Sequence, residues 1–269
     1  MSPQPRPEAI RRELVSYGRR DGRRSRRLVA ASSAPALGQL AADSDRSGAD
    51  GFLVEPPRTG RATSVDPDWR FDPREHFGRV APLVVEIGSG TGEAIVAAAC
   101  AHPEVDHLAI EVFRPGIART VRAAQRAGLS NLRIVEGDAV HILRSALPPE
   151  SVDEIRVFFP DPWPKLRHRK RRLVNAEMLG WCVRVLRPGG RLVMATDWVD
   201  YATAMRDLGQ AHPLLVNPHA GTTLAVDTVD AAGGFAPRPV ERPVTKFERK
   251  AVLAGRGVWE VELRKLPGG

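Results

Sequence analysis

Short apolar runs, each followed by a helical stretch, recur through the middle of the chain and restrict its fold more than any other feature. Leu83-Val84-Val85-Glu86-Ile87 is the first, and residues 108–112, 132–136, 152–159 and 191–196 follow. Runs this short read as strands buried on both faces of a parallel sheet. Between them lie an alanine-rich helix over 93–101, a basic helix from Arg114 to Ala127 closed by Gly128, a helical turn at His141-Ile142-Leu143, and a helix over 175–186 closed by Pro188-Gly189-Gly190. Such alternation points to βαβ crossovers. Residues 258–263 alternate apolar and polar and read as a late strand, antiparallel at the sheet edge. The expected fold is α/β, a Rossmann-like, mostly parallel seven-stranded sheet with helices on both faces.

Residues 1–75 stand outside this pattern. Pro, Arg, Ser, Asp and Gly dominate, no hydrophobic period lasts, and Arg19, Arg20, Arg23, Arg24, Arg26 and Arg27 cluster. The segment reads as a largely flexible basic extension, either a solvated tail or an arm that orders on RNA. Residues 76–269 form the expected domain. The chain carries 40 Lys and Arg against 32 Asp and Glu, a net +8. That excess favours a polyanionic partner, although a coding bias toward arginine would produce it too. Cys100 and Cys182 lie in apolar helical context at no metal-like spacing, so both are expected as buried thiols and no metal site is expected. No apolar run approaches a membrane span, and the Pro- and Arg-rich N-terminus lacks a secretion core, so the cytoplasm is the expected location.

Chemistry concentrates at the strand ends. Glu86-Ile87-Gly88-Ser89-Gly90-Thr91-Gly92-Glu93 joins the first strand to the first helix. Gly88 and Gly90 let a ligand approach the backbone, and ligands of such sheets bind at the carboxyl ends of strands. A dinucleotide fingerprint wants G-x-G-x-x-G, whereas this turn reads G-x-G-x-G with an acid just upstream. A carboxylate there repels a pyrophosphate but suits the cationic amino-acid end of S-adenosylmethionine. Glu111, closing the second strand, could accept from ribose hydroxyls, and Asp138, after the third, from an adenine amino group. Each acid could instead be a helix cap or turn residue. Three acids at three successive strand ends favour the cofactor reading and a methyltransferase.

The fourth strand runs into Phe158-Phe159-Pro160-Asp161-Pro162-Trp163-Pro164-Lys165, and then into Arg167, Arg169, Lys170, Arg171 and Arg172. Three prolines stiffen the turn and hold Asp161 in a fixed frame. The basic run could bind phosphates and Trp163 could stack on a base; a solvated charge run beside a packed tryptophan is the plainer alternative.

On these residues the chain resembles the bacterial tRNA (guanine-N7)-methyltransferases, which belong to the class I S-adenosylmethionine-dependent methyltransferases. They share a segment of the form F-P-D-P-W-x-K-x-R-H-x-K-R-R. The likeness extends to the glycine turn, to Ala109-Ile110-Glu111-Val112, to Ala195-Thr196-Asp197-Trp198 and to Arg242-Pro243-Val244-Thr245-Lys246-Phe247-Glu248. It also takes in the arginine-rich stretch from Arg11 to Arg24, and so spans most of residues 10–265. Ser89 and Leu166 depart from the usual aromatic and lysine, and residues 30–68 match no motif of the family. The resemblance implies that Glu86, Glu111, Asp138 and Asp161 line the cofactor site and that Asp161 is catalytic. It implies that Lys165, Asp197 and Thr245-Lys246-Phe247-Glu248 contact tRNA, with the variable-loop guanine at position 46 as substrate. The residues by themselves would make the last stretch only a polar loop. A class I methyltransferase acting on another RNA or a protein is the alternative, and a monomer or a homodimer is equally expected.

Overall fold

The computed structural model describes residues 51–60, 63–223 and 232–268. In chain order the elements are β1 (Leu53–Val54), α1 (Pro73–Phe77), β2 (Leu83–Ile87), α2 (Glu93–Ala101), β3 (Asp106–Glu111), α3 (Arg114–Arg126), β4 (Leu132–Glu136) and α4 (Ala139–His141), which runs into a π-helical turn at Ile142–Ala146. Then come β5 (Val152–Phe158), a 3-10 helix (Leu166–Arg171), α5 (Ala176–Val185), β6 (Leu186–Thr196), α6 (Val199–Gln210), β7 (Leu215–Val216), α7 (Lys246–Leu253) and β8 (Trp259–Lys265).

One sheet has the order β1-β4-β3-β2-β5-β6-β8-β7. The pairings from β1 through β6 are parallel, and β8 runs antiparallel to β6. The α/β class and the mostly parallel sheet agree with the sequence reading; the strand number does not. The sheet has eight strands among the described residues rather than seven, because two-residue strands cap both edges. A pair that short carries no period that sequence could display. The late strand is antiparallel as expected, but β7 covers it, so it is not the edge.

Every residue of β2 and β3 is buried, as strands covered on both faces require, the polar Glu86, Asp106, His107 and Glu111 included. One core holds Leu83, Val85, Ile87, Leu108 and Ile110 from these strands with Met178, Leu179 and Cys182 of α5 and Tyr201 and Met205 of α6. A second, under α2 and α3, joins Ile95, Ala99, Ile117 and Ala124 to Ala109, Leu132 and Ile134.

The boundary near residue 75 shifts upstream. Val54, Val65 and Phe71 are buried in the main core, and the Phe71 N–H donates to the Ala146 carbonyl at 3.0 Å. These apolar residues are too sparse to show a period, yet each lands against an apolar face that β4 and the π-helical turn leave open. The arginine cluster of residues 19–27 lies outside the described residues. Cys182 is buried, which pushes its thiol up to about 12, but Cys100 is exposed, contrary to expectation. Its helix buries only Ala94, Ile95 and Ala99, and Cys100 falls on the other side. Among the described residues no helix is long and apolar enough to cross a membrane.

Candidate active site

The order β3-β2-β5 places β2 where the chain switches from building one half of the sheet to building the other. At such a point the connections after neighbouring strands diverge and leave a crevice above their carboxyl ends. A cleft of about 420 Å³ opens there, within the size range of small-molecule sites. Its wall combines the glycine turn, Glu111, Asp138, the β5 exit through Phe158, Phe159, Asp161 and Trp163, and Lys246 and Phe247 of α7.

The glycine turn needs its glycines: Gly88, Gly90 and Gly92 have φ of 71°, 60° and 79°. Glu111 fixes the turn from the neighbouring strand. Its Oε2 accepts the Gly90 N–H at 2.6 Å, and its Oε1 accepts the N–H groups of Val112 and Phe113 at 2.7 and 2.9 Å. The carboxylate that sequence reading assigned to a ligand is thus also the internal tie of the loop. Gly116 is a site residue that sequence reading missed. A Cβ there would lie 2.1 Å from the Gly90 carbonyl oxygen, so only glycine lets α3 start against the turn. The visible signal was a glycine two residues into a helix that opens Arg114-Pro115, where propensity argues against it.

Asp138 caps α4, accepting the Val140 N–H at 2.9 Å, and lines the cleft as well. The cap and the ligand readings of this acid therefore coexist. Glu86 is placed differently from the other acids. It lies below the turn, 3% exposed, off the cleft wall, and its Oε2 has no hydrogen-bond partner. Burial raises its carboxyl to about 7; Arg156 and Arg242 oppose that rise and Glu111 adds to it.

On the β5 side, Phe159 and Trp163 take positive φ, 52° and 42°. Non-glycine residues in that region cost on the order of 1–3 kcal/mol each. They bracket Pro160-Asp161-Pro162, so the turn that presents exposed Asp161 to the cleft is strained, and proline stiffness and the surrounding packing must hold it against that cost. The Arg171 guanidinium sits 5.1 Å from the Trp163 ring centroid and also lines the cleft. Lys165, Arg167 and Lys170 are exposed beside it. Two arginines of the run are structural. Arg169 pairs with Asp200 at 2.7 Å, and buried Arg172 pairs with the same acid and donates to the Pro162 carbonyl at 2.9 Å.

The C-terminal signature is a helix start, not a polar loop. Thr245 caps α7 and accepts the Glu248 N–H at 3.3 Å, a Thr-x-x-Glu capping pattern that was legible in the sequence. Glu248 turns inward, away from any macromolecular substrate, and binds Arg242 at 2.8 Å and Arg238 at 2.6 Å. Burial works against its ionisation, yet the hydrogen bonds from Arg238 and the Arg242 charge outweigh that and hold its carboxyl below the usual range. Arg242 also pairs with buried Glu260 of β8. Glu93 closes the arrangement by accepting the Lys246 N–H at 2.7 Å. The result is that Phe247 faces Phe159 across the cleft, ring centroids 6.4 Å apart and planes at 19°. Asp197 is not drawn in: it binds Arg256 at 2.8 Å, off the cleft wall.

Comparison with known proteins gives this arrangement a family. The family model described as "Putative methyltransferase" matches residues 80–261. A protein of Cutibacterium acnes named tRNA (guanine-N(7)-)-methyltransferase is 40% identical over 259 residues, covering 96% of this chain and 86% of that protein. Proteins of the same name from Nitrosospira multiformis and Nocardia farcinica are 44% and 45% identical, covering 71% and 76% of this chain and 78% and 74% of their own length. With residues 80–261 matched and the fold and cleft of such an enzyme in place, the chain belongs to the tRNA (guanine-N7)-methyltransferase family.

Proposed function

We propose that the protein transfers a methyl group from S-adenosylmethionine to N7 of a guanine in tRNA, the variable-loop guanine at position 46, in the cytoplasm. The observation that carries this reading is the convergence, in one cleft, of the glycine turn with Glu111 and Asp138 on one side and Asp161 with Trp163 on the other. The donor set fits the cofactor. Ile87, Ile110, Val112 and Val140 supply apolar wall, and the acids suit a cation better than a pyrophosphate. Glu111 and Asp138 would hold the ribose and adenine, while Glu86 would answer the amino-acid end through the turn above it. When bound, S-adenosylmethionine supplies an electrophilic methyl carbon on a sulfonium.

Guanine N7 has a free lone pair and no proton, so the chain needs no strong base. Its task is to hold the base in line and to exclude alternatives. Asp161 accepts hydrogen bonds from guanine N1–H or the exocyclic amino group and offsets the positive charge that methylation places on the ring. Trp163 and Phe247 bound the base from the sides. Lys165 and Lys170 meet phosphates. Thr245 and Glu248 act on the substrate only by fixing Phe247. Asp197 acts through Arg256.

The test is methyl transfer from labelled S-adenosylmethionine to unmodified tRNA, followed by nucleoside analysis. The expected product is 7-methylguanosine; label in another nucleoside, or none in tRNA, would refute the proposal. Asp161→Ala is expected to cut turnover by about 10²-fold or more while tRNA affinity holds within a few fold. Unaltered turnover in that variant would remove Asp161 from the mechanism.

A further inference from the structure

The cleft has a second charged rim that the motifs do not mark. Helix α3 leaves the carboxyl end of β3 at the cleft and runs back along the sheet, burying Gly116, Ile117, Thr120 and Ala124. Arg119 lines the cleft itself. Arg122 and Arg126 follow at steps of three and four, so the three side chains share one face within about 60° of arc. At about 1.5 Å per residue, Arg126 lies about 10 Å beyond Arg119 along the axis. All three are exposed.

What separates this stripe from an ordinary solvated face is the missing counter-charge. Exposed helices usually carry carboxylates three or four residues from their arginines. Helix α3 contains no acidic residue, and among the described residues none of the three arginines has a hydrogen bond or ion pair. The contrast is within the same helix, where Arg114 binds Glu136 at 2.9 Å. Three like charges on one face repel one another unless a polyanion lies across them. The sheet order puts β3 and β5 on opposite sides of β2, so this rim faces the Lys165–Lys170 rim across the cleft.

We propose that Arg119, Arg122 and Arg126 form a phosphate-binding track for the backbone of the substrate tRNA, which is thereby gripped on both rims of the cleft. This rests on the tRNA reading above and adds to it a surface outside the family's motifs. Arg119 lines the cleft from the β3 side, and Arg122 and Arg126 would lead the flanking strand down the side of the domain.

Arg122→Gln combined with Arg126→Gln tests the track without touching the cleft. Both side chains are exposed, so the fold should survive. Arg187→Gln, at the start of β6 and so at the opposite end of the sheet, is the control for bulk charge. The double variant should raise the tRNA dissociation constant and KM about tenfold at moderate salt. The slope of log affinity against log salt should fall by about 1.5 for the two lost contacts. Turnover at saturating tRNA and affinity for S-adenosylmethionine should match wild type, and Arg187→Gln should move neither slope nor KM. A wild-type slope in the double variant, while wild-type protein still methylates tRNA, overturns the track and leaves the function standing. Wild-type protein that neither methylates nor retains tRNA overturns both.

Discussion

Glu86 shows what one buried charge does to a fold built around a ligand. Its carboxyl has an ordinary value of 4.5 and is raised to about 7, first by burial. Between those pH values the folded chain therefore holds a proton that the unfolded chain has released. From this group alone, stability falls as pH rises from about 4.5 to 7 and stays at the lower level above, while His107, which burial lowers from 6.5 to about 4, acts in the opposite sense between those two values. Glu86→Gln removes the charge, and its expected effect is a gain of about 1–3 kcal/mol at pH 8, little change at pH 4.5, and a difference from wild type that grows between. Denaturant unfolding at several pH values reads this directly; a mutant profile parallel to wild type would mean that another group carries the dependence. The same variant should bind S-adenosylmethionine more weakly, because a group kept at a cost in stability is retained for what it does when the ligand arrives.

At the scale of elements, the cleft depends on contacts between parts that the chain separates. Glu111 ends β3 but ties the turn after β2, and Gly116 begins α3 but leaves room for the Gly90 carbonyl. Gly116→Ala would put a carbon 2.1 Å from that oxygen and 2.9 Å from its carbonyl carbon, both backbone atoms that cannot swing aside. Either the helix or the turn must move. The expected result is a cofactor affinity at least about tenfold weaker, with a loss of about 1–3 kcal/mol in stability. Calorimetric titration with S-adenosylmethionine and a thermal melt separate the two effects, and unchanged affinity would show that the turn can yield freely. Helix α7 obeys the same logic. Its cap at Thr245 was legible as a Thr-x-x-Glu pattern, but the inward turn of Glu248 toward Arg238 and Arg242 was not. The arginines lie six and ten residues before Glu248, in a loop with no regular period, so no helical or strand spacing marks the pairing.

For the molecule as a whole, the domain reaches further toward the N-terminus than composition suggests. Phe71 is fully buried against His76, at 4.6 Å between ring centroids, and near Trp69 and Phe77. If residues 63–77 were an accessory tail, Phe71→Ala would be nearly silent. As part of the core it should cost about 3–5 kcal/mol, read from the denaturant midpoint of the full chain. A loss under about 1 kcal/mol would return the segment to the periphery.

Sequence alone determined the six principal strands and their alternation with helices, because burial on both faces writes a continuous apolar run that no other element needs at that length. It also determined the glycine turn and the acids at the strand ends, since positive φ and charge are properties of residue type. Tertiary structure alone decided which strand lies beside which, and with that the place of the cleft. It alone sank Glu86 beneath the turn, moved Arg172 from the basic run into the interior, and brought Phe247 opposite Phe159 across 88 residues of chain. Those outcomes follow from sheet order and from pairing between distant side chains, and neither leaves a local pattern in the chain.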